Sequence, residues 1–194
     1  MTYTPKILAF AGSTRTNSFH KKLVKIAAQG AKNAGAEVTF IDLRDYPMPL
    51  YDEDLEATEG MPANVRKLKE VFWQHQGLLI ASPEYNSSYS GVLKNTIDWL
   101  SRPASSDEPG LSCFVGKVAA IMSTSPGALG GLRGLATLRQ LLENIQVIVL
   151  PSQQAIPKAF EAFNAEGMLG DAKQQASIEK LGENLAGMLS KLNG

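Results

Sequence analysis

Cysteine is nearly missing from this chain. Cys113 stands alone among 194 residues, so no intrachain disulfide and no thiolate metal cluster can form, and a reducing compartment is expected. Histidine is almost as scarce. His20 and His75 are too few for a metal site, and both fall on predicted helices, where solvent-facing roles are expected, with His20 close to a candidate phosphate loop. Net charge is missing as well: nineteen basic residues balance nineteen acidic ones with no basic block. That argues against nucleic acid as the main partner, since such binding rests on neutralising phosphates. No stretch approaches the ~18 apolar residues of a membrane helix. The N-terminal MTYTPKILAFAGSTR carries only the short apolar run Ile7 to Ala11, which meets a hydroxyl-rich loop instead of a cleavage-type site. The expectation is a soluble, cytoplasmic protein. Internal repeats and low-complexity linkers are also absent, and with 44% hydrophobic residues the chain suits one domain over 1–194.

What is present alternates. Lys6 to Ala11 (KILAFA) is apolar throughout, as a strand covered on both faces would be. Phe19, Leu23, Ile26, Gly30 and Ala34 then recur at helical spacing, and Gly35 suits a helix stop. Glu37 to Asp42 predicts a second strand, Leu78 to Ser82 a third, Lys117 to Met122 a fourth and Gln146 to Leu150 a fifth. Helical faces lie between them, and Asp171 to Leu192 closes the chain as a helix. Five strands alternating with helices predict a three-layer α/β sandwich around a parallel sheet. The acidic stretch Asp52, Glu53, Asp54, Glu56 and Glu59 reads as a solvated loop.

In a doubly wound sheet, ligands bind where the strand order reverses, and for the order 2-1-3-4-5 that point lies between strands one and three. The two most chemically loaded loops follow those strands. Gly12 to Ser18 (GSTRTNS) offers the hydroxyls of Ser13, Thr14, Thr16 and Ser18, the Asn17 amide, Arg15 and free N–H groups at a helix N-terminus. Such donors suit a terminal phosphate. The loop lacks both the G-x-G-x-x-G of a dinucleotide site and the G-x-x-x-x-G-K-S/T of a P-loop, so a monophosphate fits better. Pro83, Glu84, Tyr85 and Asn86 set a carboxylate, an aromatic plane and an amide side by side, a set that suits a flat polar heterocycle. Taken singly, the first loop could be a plain helix cap and the second an ordinary turn. A third loop, Ser123 to Gly131, brings Ser123, Thr124 and Ser125, although its glycines could serve only to let a helix pack close to the sheet.

Four motifs in register carry a resemblance: G-S-x-R-x-x-S at Gly12 to Ser18, P-L-Y-D-x-D at Pro49 to Asp54, P-E-Y-N at Pro83 to Asn86, and G-x-L-K-N-x-I-D-W at Gly91 to Trp99. Together they resemble the NADPH-dependent FMN reductase family, and within it the bacterial quinone and chromate reductases. The resemblance implies a flavodoxin-like fold, bound FMN, and NADPH or NADH as co-substrate. It also implies a homodimer or homotetramer that reduces quinones or similar acceptors such as chromate, azo compounds or free flavin. By matching positions, Ser13, Arg15, Asn17, Ser18 and Phe19 would hold the phosphate and ribityl region, with His20 adjoining. Pro83, Glu84, Tyr85 and Asn86 would contact the ring edge, and Thr124, flanked by Ser123 and Ser125, would complete the pocket. No catalytic side chain is assigned. The flavin would do the chemistry, with nicotinamide and acceptor sharing one site in turn, which implies ping-pong kinetics.

Two other readings share the fold. An electron-carrier flavodoxin would tend to need strong surface charge for docking, which this neutral chain lacks. A redox module that binds flavin without turnover would separate only by assay. Cys113 reads as a bystander, Phe72, Trp73 and Trp99 as core or subunit interface, and the Lys94, Asp98 and Arg102 row as a solvated helix face or a subunit contact.

Overall fold

The apolar run that opens the chain pairs on both sides, which is why it needs no polar face. In the computed structural model, which describes residues 3–194, β1 (Lys6–Ala11) lies between β2 (Glu37–Ile41) and β3 (Gly77–Ala81), parallel to both. The first two residues of the N-terminal segment lie outside the described residues. Beyond β3 come β4 (Val118–Thr124) and β5 (Ile148–Val149), giving the parallel order β2-β1-β3-β4-β5 of a flavodoxin-like sheet. Strands β3 and β4 are buried at every residue, whereas the edge strand β2 is half open to solvent.

A sixth strand joins this frame. The segment β6 (Gln154–Ile156) pairs parallel with Met122 to Thr124 of β4, just beyond the point where β5 has left Val118 and Ala119. The predicted fifth strand, Gln146 to Leu150, therefore shrinks to two paired residues. Pro151, with no N–H to give a ladder, falls in the gap between β5 and β6.

Side chains alternate along the strands into two cores. Leu8, Phe10, Leu78, Ile80 and Ile121 face α3 (Ala63–Trp73), α4 (Gly91–Ser101) and α5 (Leu132–Asn144). Ile7, Ala9, Leu79 and Ala120 face α1 (Phe19–Asn33) and the closing helix α7 (Ala172–Asn193). The two last-named helices touch backbone to backbone. A Cβ at Gly30 would lie 2.0 Å from the Glu179 carbonyl oxygen, and one at Gly182 would lie 1.8 Å from that of Ala27.

The acidic stretch is a helix, not a loop. In α2 (Glu53–Glu59), Asp52 caps the end by accepting from the amides of Asp54 at 2.8 Å and Leu55 at 3.2 Å, and acidic residues in that first turn oppose the positive end of the helix dipole. Glu56 takes Arg102 at 2.9 Å, so Arg102 leaves the row it was expected to share with Lys94 and Asp98, which pair with each other at 2.7 Å. Trp99 and Phe72 are core, while Trp73 is 45% exposed and donates from Nε1 to Ser112. Among the described residues no helix is long and apolar enough to cross a membrane.

Candidate functional site

The carboxyl ends of β1, β3 and β4 are laced together by short polar contacts, and the lacing draws their loops to one place. The Gly12 amide donates to Ala81 O at 2.9 Å, and the Ser82 amide donates to Met122 O at 3.0 Å. Ser90, the N-cap of α4, receives the Leu93 amide at 3.3 Å and gives its hydroxyl to Gly12 O at 2.6 Å, tying that helix to the start of the first loop. Ser123 donates to Ser82 O at 2.7 Å from a fully buried position, so its hydroxyl belongs to the floor of the site.

The first loop keeps most of its donors free. Ser13 is buried and its hydroxyl accepts the Arg15 amide at 3.4 Å. Ser18 is the N-cap of α1 but makes no capping bond with its side chain, and the amides of Asn17, Ser18, Phe19 and His20 have no acceptor among the described residues. His20 was expected at the surface and is instead buried, its Nε2 accepting the Thr124 amide at 3.3 Å. Burial lowers its pKa to about 4, with the Arg15 charge pushing the same way, so the ring is neutral at physiological pH. His75 is buried as well, between Val71 O and the Thr39 hydroxyl at the far end of the sheet.

In the second loop, Tyr85 and Ser88 exchange backbone hydrogen bonds of 2.8 and 3.0 Å around a two-residue turn, with Asn86 at φ 51° and Ser87 at φ 66°. Asparagine tolerates that left-handed conformation, so the turn accounts for Asn86 without a ligand. The Glu84 carboxylate points to α5, where Arg133 and the Gly134 amide hold it. Burial alone would raise its pKa, but those two partners outweigh it and keep the carboxyl below the ordinary value.

The third loop behaves as its glycines suggest. Gly131 has φ +90°, and a Cβ there would lie 2.0 Å from Ser123 Oγ. Past it, β6 and the short helix α6 (Ala159–Ala162) form a further wall: Thr124 donates its hydroxyl to Ile156 O at 2.8 Å, and the Ala159 amide donates to Ser125 O at 3.0 Å. Phe160 projects from this wall 72% exposed, edge-on to Phe19 with ring centres 5.5 Å apart, while Phe19 stacks on Phe163.

The result is one cleft of about 550 Å³, counted out into its open mouth. Ser13, Arg15, Ser18, Phe19, His20, Pro83, Glu84, Tyr85, Thr124 and Ser125 line it. Asn17, Asn86 and Ser123 stand outside the lining. Pro126, Ala159 and Phe160 line it without having been picked out from the sequence. The aromatic pair in AFEAF was the available signal, hidden because the sixth strand that carries it to the cleft was not recognised. Free amides, hydroxyls and a guanidinium belong to the first-loop end, and Glu84, the one carboxylate among the described lining residues, is paired with Arg133. This donor set fits a phosphorylated ligand, and the exposed Tyr85 and Phe160 beyond it fit a flat ring.

Comparison with known proteins agrees with this geometry. The sequence matches the family described as NADPH-dependent FMN reductase over residues 5–161. It is 36% identical over 190 residues to the NAD(P)H-dependent FMN reductase of Pseudomonas aeruginosa, covering 97% of each chain. Over 146 residues it is 38% identical to the quinone reductase of Escherichia coli K12, covering 75% of this chain and 73% of that one. The solved structure of FerB from Paracoccus denitrificans, a flavoenzyme NAD(P)H:(acceptor) oxidoreductase, superposes with a TM-score of 0.80 at 29% identity, over 97% of this chain and 98% of that one. With its motifs, its sheet order and its cleft in agreement, this chain belongs to the NADPH-dependent FMN reductase family.

Proposed function

We propose that this protein is an FMN-dependent NAD(P)H oxidoreductase that delivers reducing equivalents from nicotinamide to quinones or similar acceptors. The observation that carries the reading is the open cleft at the switch point, where the loops after β1 and β3 meet and leave donors free on one side and aromatic surface on the other. Bound FMN supplies the hydride chemistry. The chain's own groups bind and orient it. Ser13, Arg15 and Ser18, with the free amides at the start of α1, would hold the phosphate, and Asn17, between Arg15 and Ser18 in the same loop, is a further donor to it. Phe19 and neutral His20 pack the ribityl region. Pro83, Tyr85 and the backbone of Glu84 and Asn86 border the ring, while Thr124 and Ser125 close the opposite side over the Ser123 floor.

The rim at Tyr85 and Phe160 is exposed, and nicotinamide and acceptor would use that open side of the cleft in turn. On this reading residues 1–194 act as one FMN-binding domain in the cytoplasm, as a homodimer or homotetramer. Sedimentation velocity tests the oligomeric state, and Leu50, 79% exposed, is one apolar side chain that a second copy would cover.

The deciding experiment takes purified protein, confirms FMN content, and follows NADPH and NADH oxidation against a quinone panel. Turnover with parallel double-reciprocal lines is expected. Bound FMN with almost no turnover would instead identify a carrier or a silent flavin module, and intersecting lines would refute the shared site.

A further inference from the structure

The first loop is held from outside by a residue that no motif contains. Arg44, in the short 3-10 turn Leu43–Asp45 after β2, donates from Nε to Thr14 O at 2.8 Å, from Nη2 to the same oxygen, and from Nη1 to Thr16 Oγ1 at 2.7 Å. Asp42 fixes the turn itself, accepting the Arg44 amide at 3.0 Å, and it also pairs with the buried Lys21 on the first turn of α1. The middle of the loop Gly12–Ser18 and the helix turn that follows it therefore lean on one short turn. The geometry points to Arg44 as the positioning residue for the phosphate loop, an assignment that rests on the phosphate reading of that loop given above.

The physical reason lies in the peptide plane. In a trans peptide the C=O and the following N–H point in opposite directions. With the Thr14 carbonyl drawn outward to Arg44, the Arg15 amide is turned inward, where it meets Ser13 Oγ at the cleft wall. The same pull removes a carbonyl lone pair from the space an anion would fill. The fork of the guanidinium grips two loop residues, Thr14 and Thr16, at once, which a lysine ammonium cannot reproduce. The consequence is specific: Arg44 serves the phosphate end of the ligand and not its ring.

The test compares two ligands that differ only in that phosphate. The full chain, freed of flavin, is titrated with FMN and with riboflavin by flavin fluorescence, for the native protein, Arg44→Gln and Arg44→Lys, with thermal melts alongside. Arg44→Gln is expected to weaken FMN by about tenfold and riboflavin by less than about twofold, with the melt unchanged. Arg44→Lys is expected to recover only part of the loss. Equal weakening of both ligands, or none, would overturn the assignment, as would full recovery by lysine that vanishes in high salt, since that would mark a distant charge effect. If the native protein bound FMN no better than riboflavin, the phosphate reading of the loop would fail first, and the clamp with it.

Discussion

Glu84 and Arg133 face each other across the rim of the cleft, the guanidinium Nε and Nη2 standing 2.9 and 2.6 Å from Glu84 Oε1, while the Gly134 amide takes the other carboxylate oxygen at 3.0 Å. This pair binds the loop after β3 to the start of α5 and keeps a negative charge from acting on the ligand. Arg133→Ala frees that charge beside the ring. We expect FMN affinity to fall by roughly fivefold, about 1 kcal/mol, the upper scale of a solvent-screened charge interaction. Restoration in the double variant with Glu84→Gln, read by flavin fluorescence, checks that the charge is the cause.

His20 makes stability depend on pH in a defined window. Its folded pKa of about 4 lies below the ordinary 6.5, so between those values the unfolded chain binds the proton and the folded chain does not. Stability from this group is complete above about 6.5, falls as pH drops, and changes no further below about 4, a loss of roughly 3 kcal/mol. In His20→Gln, urea melts at pH 7.5 and 4.5 should differ less by about that amount. His75, also lowered by burial, leaves a residual slope of the same sign.

Lys69 is wholly buried beneath the segment after α4, 2.6 Å from Glu108, with the Arg102 carbonyl at 2.6 Å and the Leu100 carbonyl at 3.3 Å. Glu108 also accepts the Ala104 amide and the Ser112 hydroxyl. Glu108→Ala strands an ammonium and should cost about 3–5 kcal/mol in chemical denaturation. Lys69→Met with Glu108→Leu should cost clearly less, since no charge is left unpaired.

The contact between α1 and α7 offers a paired test. Gly182→Ala places a methyl 1.8 Å from the Ala27 carbonyl and should force the helices apart, lowering stability by more than about 3 kcal/mol. Gly187→Ala, further along the same helix with nothing within 4 Å, should raise it by about 0.5–1 kcal/mol.

Phe160→Ala removes an aromatic that is 72% exposed, so the melt should move little. Its place is at the mouth of the cleft, and a rise of about threefold or more in KM for a quinone, with FMN content unchanged, is the expected signature. An unchanged KM would assign the residue to another surface.

Legibility followed the strength of local pattern. The runs KILAFA and GLLIA have one physical solution, burial on both faces of a parallel sheet, and both loops at the switch point followed from them. The acidic helix escaped because its stability comes from the Asp52 cap and a distant arginine, not from an apolar stripe. The histidines were misplaced because a buried neutral ring looks polar in sequence, and only the Thr124 amide reveals that His20 is satisfied inside. Of the site, hydroxyls and aromatic residues in short motifs were visible, whereas Arg44, Arg133 and Phe160 act across thirty or more residues of sequence and needed the fold to bring them in.

The break at Pro151 also bears on behaviour in a crowded solution. It leaves the outer margin of the sheet as two rungs, of two and three residues, neither with enough consecutive hydrogen-bonding groups to recruit a strand from a neighbouring molecule. At the other margin, Glu37 at the start of β2 pairs with Lys6 of β1, and the Lys25 ammonium of α1 lies over the Phe40 ring of β2. Both flanks are thus poor templates for edge-to-edge aggregation.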